Sequence, residues 1–116
     1  MTPEQLADLR KALPPFPSAA ETVPGLADYC VFYRLDFTAR YPGCEHFAGT
    51  VTSGPHRLAV HRWQLPDARA TLLLVHGYYD HTGLYGKLVE YGLSRGFNVL
   101  IFDLPGHGLS LSLIHI

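Results

Sequence analysis

At 116 residues, 47% hydrophobic, 16% charged and with a net charge of -1, the chain is sized and balanced for one small globular domain. The near-neutral charge offers no basic patch of the kind that nucleic-acid binders carry. No run of about 18 apolar residues is present to span a membrane.

The start, Met1-Thr2-Pro3-Glu4-Gln5, has neither a basic nor an apolar leader segment, so a cytoplasmic location is expected. Cys30 and Cys44 are the only cysteines and are expected as free thiols. The seven histidines include no His-x3-His pair with an adjacent Glu and no accompanying cysteine pair. No metal site and no cofactor are therefore expected.

Residues 3 to 13 predict a short helix with Leu6, Leu9 and Leu13 on one face. Pro14-Pro15-Phe16-Pro17 stops it, because proline lacks the N–H and restricts its predecessor. Residues 18 to 24 predict a linker. Gly25 to Phe37 fits either a helix (Leu26, Tyr29, Cys30, Tyr33) or a strand (Tyr29, Val31, Tyr33, Leu35, Phe37), with the helix preferred. Residues 1–43 are thus read as a helical extension and linker, and 44–116 as an α/β domain.

Phe47 to Thr52 and Arg57 to Gln64 flank the turn Ser53-Gly54-Pro55 and predict an antiparallel hairpin. Thr71-Leu72-Leu73-Leu74-Val75 is apolar after its threonine, which predicts a strand covered on both faces. Thr82 is the expected cap of a helix over 83–95, with Leu84, Leu88 and Tyr91 as its inner stripe and Gly96 as its stop. Phe97 to Phe102 predicts the next buried strand. The order is hairpin, strand, helix, strand, the last three making a βαβ unit of a mostly parallel sheet. Chemistry gathers where such strands stop.

Two turns stand at those ends. The first is His76-Gly77-Tyr78-Tyr79-Asp80-His81. Glycine permits a sharp turn there, and the next N–H, that of Tyr78, is placed to meet the negative oxygen of a tetrahedral intermediate. One such donor is worth ~3 kcal/mol of barrier. The second is Asp103-Leu104-Pro105-Gly106-His107-Gly108-Leu109-Ser110. It lacks the Gly-Lys-Ser/Thr and Gly-x-Gly-x-x-Gly patterns of phosphate loops. A structural turn, with His107 and Ser110 bonded to nearby backbone, is the preferred reading over direct catalysis.

Together, Leu74-Val75-His76-Gly77-Tyr78-Tyr79-Asp80-His81 and Phe102-Asp103-Leu104-Pro105-Gly106-His107-Gly108-Leu109-Ser110 resemble the start of an α/β-hydrolase. The resemblance is to the monoglyceride lipase, lysophospholipase and serine aminopeptidase-like branch, and covers about residues 45 to 110. It implies that His76 and Gly77 shape an oxyanion loop, that Tyr78 supplies its catalytic N–H, and that Asp80 and His81 support the loop. It implies a structural turn beside the site from Asp103, Gly106, His107, Gly108 and Ser110. An ester or lipid-like small molecule, such as a monoacylglycerol or lysophospholipid, is the implied substrate.

Family members carry the nucleophile in a Gly-x-Ser-x-Gly elbow further on, followed by an Asp and a His. No such elbow occurs here; Ser53, Ser94, Ser110 and Ser112 all lack the frame, and His115 lies too near the end. The fold expected is therefore an incomplete N-terminal part, with Phe97 to Phe102 missing its neighbours. The tail Leu111-Ser112-Leu113-Ile114-His115-Ile116 is expected to be artefactual. Two other readings stay open: an aspartate-nucleophile hydrolase of the epoxide hydrolase or dehalogenase type, and a non-catalytic interaction module.

Overall fold

Helix α1 (Pro3–Ala12) starts at a reciprocal cap. The Thr2 hydroxyl accepts from the Gln5 amide at 3.1 Å, and the Gln5 side chain accepts from the Thr2 amide at 2.8 Å. The helix buries Leu9, and Leu13 is buried just beyond its end. The computed structural model describes residues 1–77, 81–105 and 107–110. Tyr78, Tyr79, Asp80, Gly106 and the tail 111–116 lie outside the described residues.

The stretch 18–24, expected as a linker, holds a two-residue strand β1 (Ser18–Ala19) and a 310 turn over Ala20–Thr22. So short a strand has no periodicity to read; it exists because β2 offers it an edge. The ambiguous stretch after Gly25 is a helix, α2 (Leu26–Tyr33). Its Leu26, Tyr29 and Cys30 are buried, while Val31 and Phe32 are exposed. It ends at Arg34, which takes the left-handed conformation at φ 59°.

Strands β2 (Glu45–Ser53) and β3 (His56–Gln64) form the hairpin, pairing from Glu45 with Gln64 to Ser53 with His56. Strands β4 (Thr71–Val75) and β5 (Asn98–Phe102) complete a five-stranded sheet of order β1-β2-β3-β5-β4. The β4–β5 pair is parallel and β3–β5 is antiparallel, so the sheet is mixed. Helix α3 (Gly86–Ser94) connects β4 to β5 after a 310 turn over Thr82–Tyr85. Gly96, at φ 82°, makes the left-handed stop after it.

One face of the sheet carries the core. Ala48, Ala59, Trp63, Val99 and Ile101 join Leu9, Leu26, Tyr29, Phe37, Val89 and Leu93 in a single buried cluster. Among the described residues no helix is long and apolar enough to cross a membrane. Both cysteines are buried thiols with no disulfide.

Four expectations need correction. The run Thr71–Val75 is not covered on both faces. It is an edge strand bonded only to β5, and Leu73 and Val75 are 59% and 57% exposed. The strand read as missing its neighbours, Phe97 to Phe102, instead sits inside the sheet between β3 and β4. The third correction concerns the helical segment 82–94. Leu84, Leu88 and Tyr91 face outward, and Val89, Gly92 and Leu93 face the core. Gly92 is the reason: it lets the helix approach so closely that a Cβ there would stand 2.8 Å from Val99 and 3.0 Å from Leu72. Thr82 does not cap with its side chain; His81 takes that place, its Nδ1 accepting from the Gly83 amide at 3.1 Å.

Beneath α2 the core contains two histidines. His46 Nε2 and His61 Nδ1 stand 3.1 Å apart, and both rings stack on Trp63. Cys30 Sγ approaches His46 Nδ1 at 3.9 Å. Burial, with a smaller contribution from Asp36, pushes the Cys30 thiol up to about 12, so it stays protonated. Burial pulls His61 down to about 4, partly offset by Asp103, and takes His46 well below its usual value, with His61 adding to the effect.

Both imidazoles therefore bind protons more weakly in the folded chain than in the unfolded one. From about pH 6.5, the ordinary histidine value, down towards 4, the unfolded chain holds more protons and stability falls with falling pH. Each histidine contributes a slope of at most about 1.4 kcal/mol per pH unit. Urea titrations from pH 4.5 to 7.5 check this; the unfolding free energy should rise towards neutrality and then level off, and a flat profile would contradict it.

Candidate active site

The parallel register of β4 and β5 brings the two polar turns to one end of the sheet. Val75 pairs with Phe102, so His76 and Asp103 leave the sheet side by side. Both are buried, at 3% and 0% exposure.

His76 joins the two turns. Its Nδ1 lies 2.8 Å from the Gly77 carbonyl oxygen, and its Nε2 lies 2.8 Å from the Leu104 backbone nitrogen. A carbonyl only accepts and an amide only donates, so Nδ1 carries the proton and Nε2 accepts. One tautomer serves both bonds. The His107 ring lies 5.3 Å from His76, and its Nδ1 donates to the Pro105 carbonyl at 3.0 Å.

Asp103 joins the turns a second time. One carboxylate oxygen accepts from the Thr82 amide at 2.7 Å and the other from the Leu109 amide at 2.8 Å. Its own amide donates to the Ala59 carbonyl at 2.9 Å, which extends β5 along β3. The carboxylate lies against Gly108, whose backbone is left-handed at φ 48°; a Cβ there would collide with Asp103.

Ser110 is buried and both roles of its hydroxyl are filled. It accepts from the Ala59 amide at 2.9 Å and donates to the Asp103 carbonyl at 2.6 Å. A serine held this way supports a turn and offers no free oxygen for attack. The Gly108 carbonyl accepts from Arg10 at 3.0 Å, so helix α1 reaches this turn. Arg57 in turn donates to the Leu13 carbonyl at 2.8 Å and fixes the end of α1 on β3.

In the first turn the Gly77 amide donates to the Tyr85 hydroxyl at 2.9 Å. His81 packs edge-on against Tyr33, with ring centres 5.1 Å apart. Tyr78, Asp80 and Gly106, singled out from the sequence, lie outside the described residues. Among those described, His76, Gly77, His81, Asp103, His107, Gly108 and Ser110 share one end of the sheet. Sequence reasoning did not find Tyr85, Arg10 or the Ala59 backbone. Only Tyr85 left a trace, nine residues beyond His76 and at the end of the 310 turn. Among the described residues no group of three or more metal-binding side chains occurs.

Residues 66–114 match the family model described as serine aminopeptidase, S33. No curated protein sequence matches. Among solved structures, the chain is similar to a cold-adapted esterase from an Arctic intertidal metagenomic library, at a TM-score of 0.51 and 22% identity over 60% of this chain and 31% of that one. It is also similar to a thioesterase domain from the curacin biosynthetic pathway, at a TM-score of 0.50 and 22% identity over 59% of this chain and 24% of that one. The chain therefore spans a quarter to a third of the length of these structures, and the likeness is one of fold.

Removing the Ser110 hydroxyl (Ser110→Ala) strands the buried Ala59 amide and should cost about 1–3 kcal/mol. Asp103→Ala strands two amides, at Thr82 and Leu109, and should cost more. Urea unfolding of the two variants beside the parent measures both losses. A Ser110→Ala chain as stable as the parent would contradict the bonding described.

Proposed function

Starting from an α/β-hydrolase fold, which this chain carries in part, we propose that it is the N-terminal portion of a serine hydrolase acting on a small ester-type substrate in the cytoplasm. In this reading residues 44–116 begin the hydrolase domain and residues 1–43 form an extension packed beside it. The chain supplies the oxyanion loop. The serine nucleophile, its histidine base and the orienting carboxylate follow in a longer protein.

One observation carries this reading. The Gly77 carbonyl is held by His76 Nδ1 at 2.8 Å. That bond fixes the first bend of the turn in one conformation directly after the strand. A backbone donor held at the end of a parallel strand is what a developing oxyanion requires. The serine attacks the acyl carbonyl, the carbonyl oxygen takes on negative charge, and the Tyr78 amide stabilises it. Asp80 and His81 support the loop around that amide, and His76, Asp103, Gly106, His107, Gly108 and Ser110 hold the paired turns together.

The substrate class rests on the resemblance and on the kind of reaction. Monoacylglycerols and lysophospholipids are the proposed substrates, and the similar structures include an esterase and a thioesterase. All of these reactions transfer an acyl group to water through the same intermediate.

A longer protein containing this chain should be labelled by a fluorophosphonate at one serine beyond residue 110, within a Gly-x-Ser-x-Gly sequence. The 116-residue chain alone should neither be labelled nor turn over a p-nitrophenyl ester. Peptide mapping of the labelled protein reads the site, and labelling at Ser110, or turnover by the chain alone, would overturn the proposal.

A further inference from the structure

Gly77 is held from two sides, and only one of the two anchors belongs to the motif read from the sequence. His76 Nδ1 fixes the peptide that follows Gly77 through its carbonyl. The peptide that precedes it is fixed elsewhere. Its N–H, that of Gly77, donates to the Tyr85 hydroxyl at 2.9 Å. The Tyr85 ring also packs edge-on against His76, with ring centres 6.3 Å apart, and lies partly buried against the core.

Tyr85 is itself well placed to be an anchor. It ends the 310 turn that Asp103 holds through the Thr82 amide, and α3 begins at the next residue. Its hydroxyl therefore stands on a segment tied to the sheet by a buried carboxylate. Glycine has the widest backbone freedom of any residue, so a turn built on glycine needs external anchors to keep one conformation. With one anchor the Gly77 backbone can still rotate about its own φ; with two, both flanking peptide planes are set.

We propose that Tyr85 is a positioning residue of the oxyanion loop, whose hydroxyl engages the Gly77 amide and so directs the loop's next donor at the reacting oxygen. The inference rests on the reading of this turn as an oxyanion loop. In this role Tyr85 contacts neither substrate nor reacting atoms. It acts through the Gly77 backbone. A second consequence concerns competition. The Gly77 amide, once engaged by Tyr85, is no longer free to take the reacting oxygen in a misplaced geometry.

The test uses the longer protein that contains this chain. Tyr85→Phe keeps the ring and its packing against His76 and removes the hydroxyl that accepts from Gly77. The expected result is a fall in kcat of about 10- to 100-fold, the range for a misdirected oxyanion donor, with KM changed by less than about threefold, since only the tetrahedral stage is affected. Affinity for a boronic acid, which forms a tetrahedral adduct with the serine, should fall in parallel with kcat. Tyr85→Leu should show the same kcat loss with a lower melting temperature, which separates the hydroxyl from the ring. If the parent is labelled by a fluorophosphonate and Tyr85→Phe leaves kcat and boronate affinity unchanged, the role of Tyr85 is refuted while the oxyanion loop stands. If the parent is neither labelled nor active, the loop reading fails and the role of Tyr85 with it.

Discussion

The Asp103 carboxylate is the constraint on which the rest of the site depends. It is fully buried and its two oxygens accept backbone amides from two separate segments, Thr82 before α3 and Leu109 in the second turn. Each of these amides would otherwise be a buried donor without a partner, at a cost of about 1–3 kcal/mol. The carboxylate thus fixes the distance between the start of the α3 segment and the end of β5. His76 repeats the connection through Leu104, and Ser110 carries it on to β3 through Ala59. The two turns are one structure with several bonds across it, which is why neither can be described apart from the other.

Much of the site was legible in the sequence because its parts are close in the chain and chemically distinctive. His76-Gly77 and Asp103 to Ser110 stand directly after strands, and the strands were visible as apolar runs. What escaped was whatever reaches the site from a distance. Arg10 comes from 98 residues away to the Gly108 carbonyl, and the Ala59 amide comes from 51 residues away to Ser110. A backbone amide has no signature in a sequence, and an arginine on a short helix reads as a solvated charge. Tyr85 was hidden for another reason. A tyrosine near the start of an amphipathic helix reads as packing, and only the structure shows where its hydroxyl goes.

The fold was legible to the level of element order and not to the level of which face is covered. Leu84, Leu88 and Tyr91 gave a convincing stripe, yet the helix rotates to press Gly92 onto Val99 and Leu72. Close approach of backbone to sheet outweighed the burial of larger side chains, because the small residue decides how near the helix can come. The same limit applies to β4. A continuous apolar run implies two covered faces only if something packs on each, and the described residues cover one. Leu73 and Val75 are exposed on β4, and Leu84, Leu88 and Tyr91 are exposed on the helical segment that follows it.

The histidines under α2 show why the Asp103 carboxylate depends on backbone amides. His61 lies on the same sheet face, and its register partner Ile101 is two residues before Asp103, so an imidazolium there could in principle balance the carboxylate. Burial decides otherwise. It lowers His61 to about 4 and outweighs the opposing pull of Asp103, so the ring stays neutral near pH 7. A side-chain cation would stabilise the carboxylate whatever the surrounding loops did. Backbone amides do so only when the loops adopt one arrangement. Leaving the charge to Thr82 and Leu109 therefore couples the electrostatic stability of Asp103 to the geometry of the turns, and any conformation that opens them also strips a buried carboxylate of its donors.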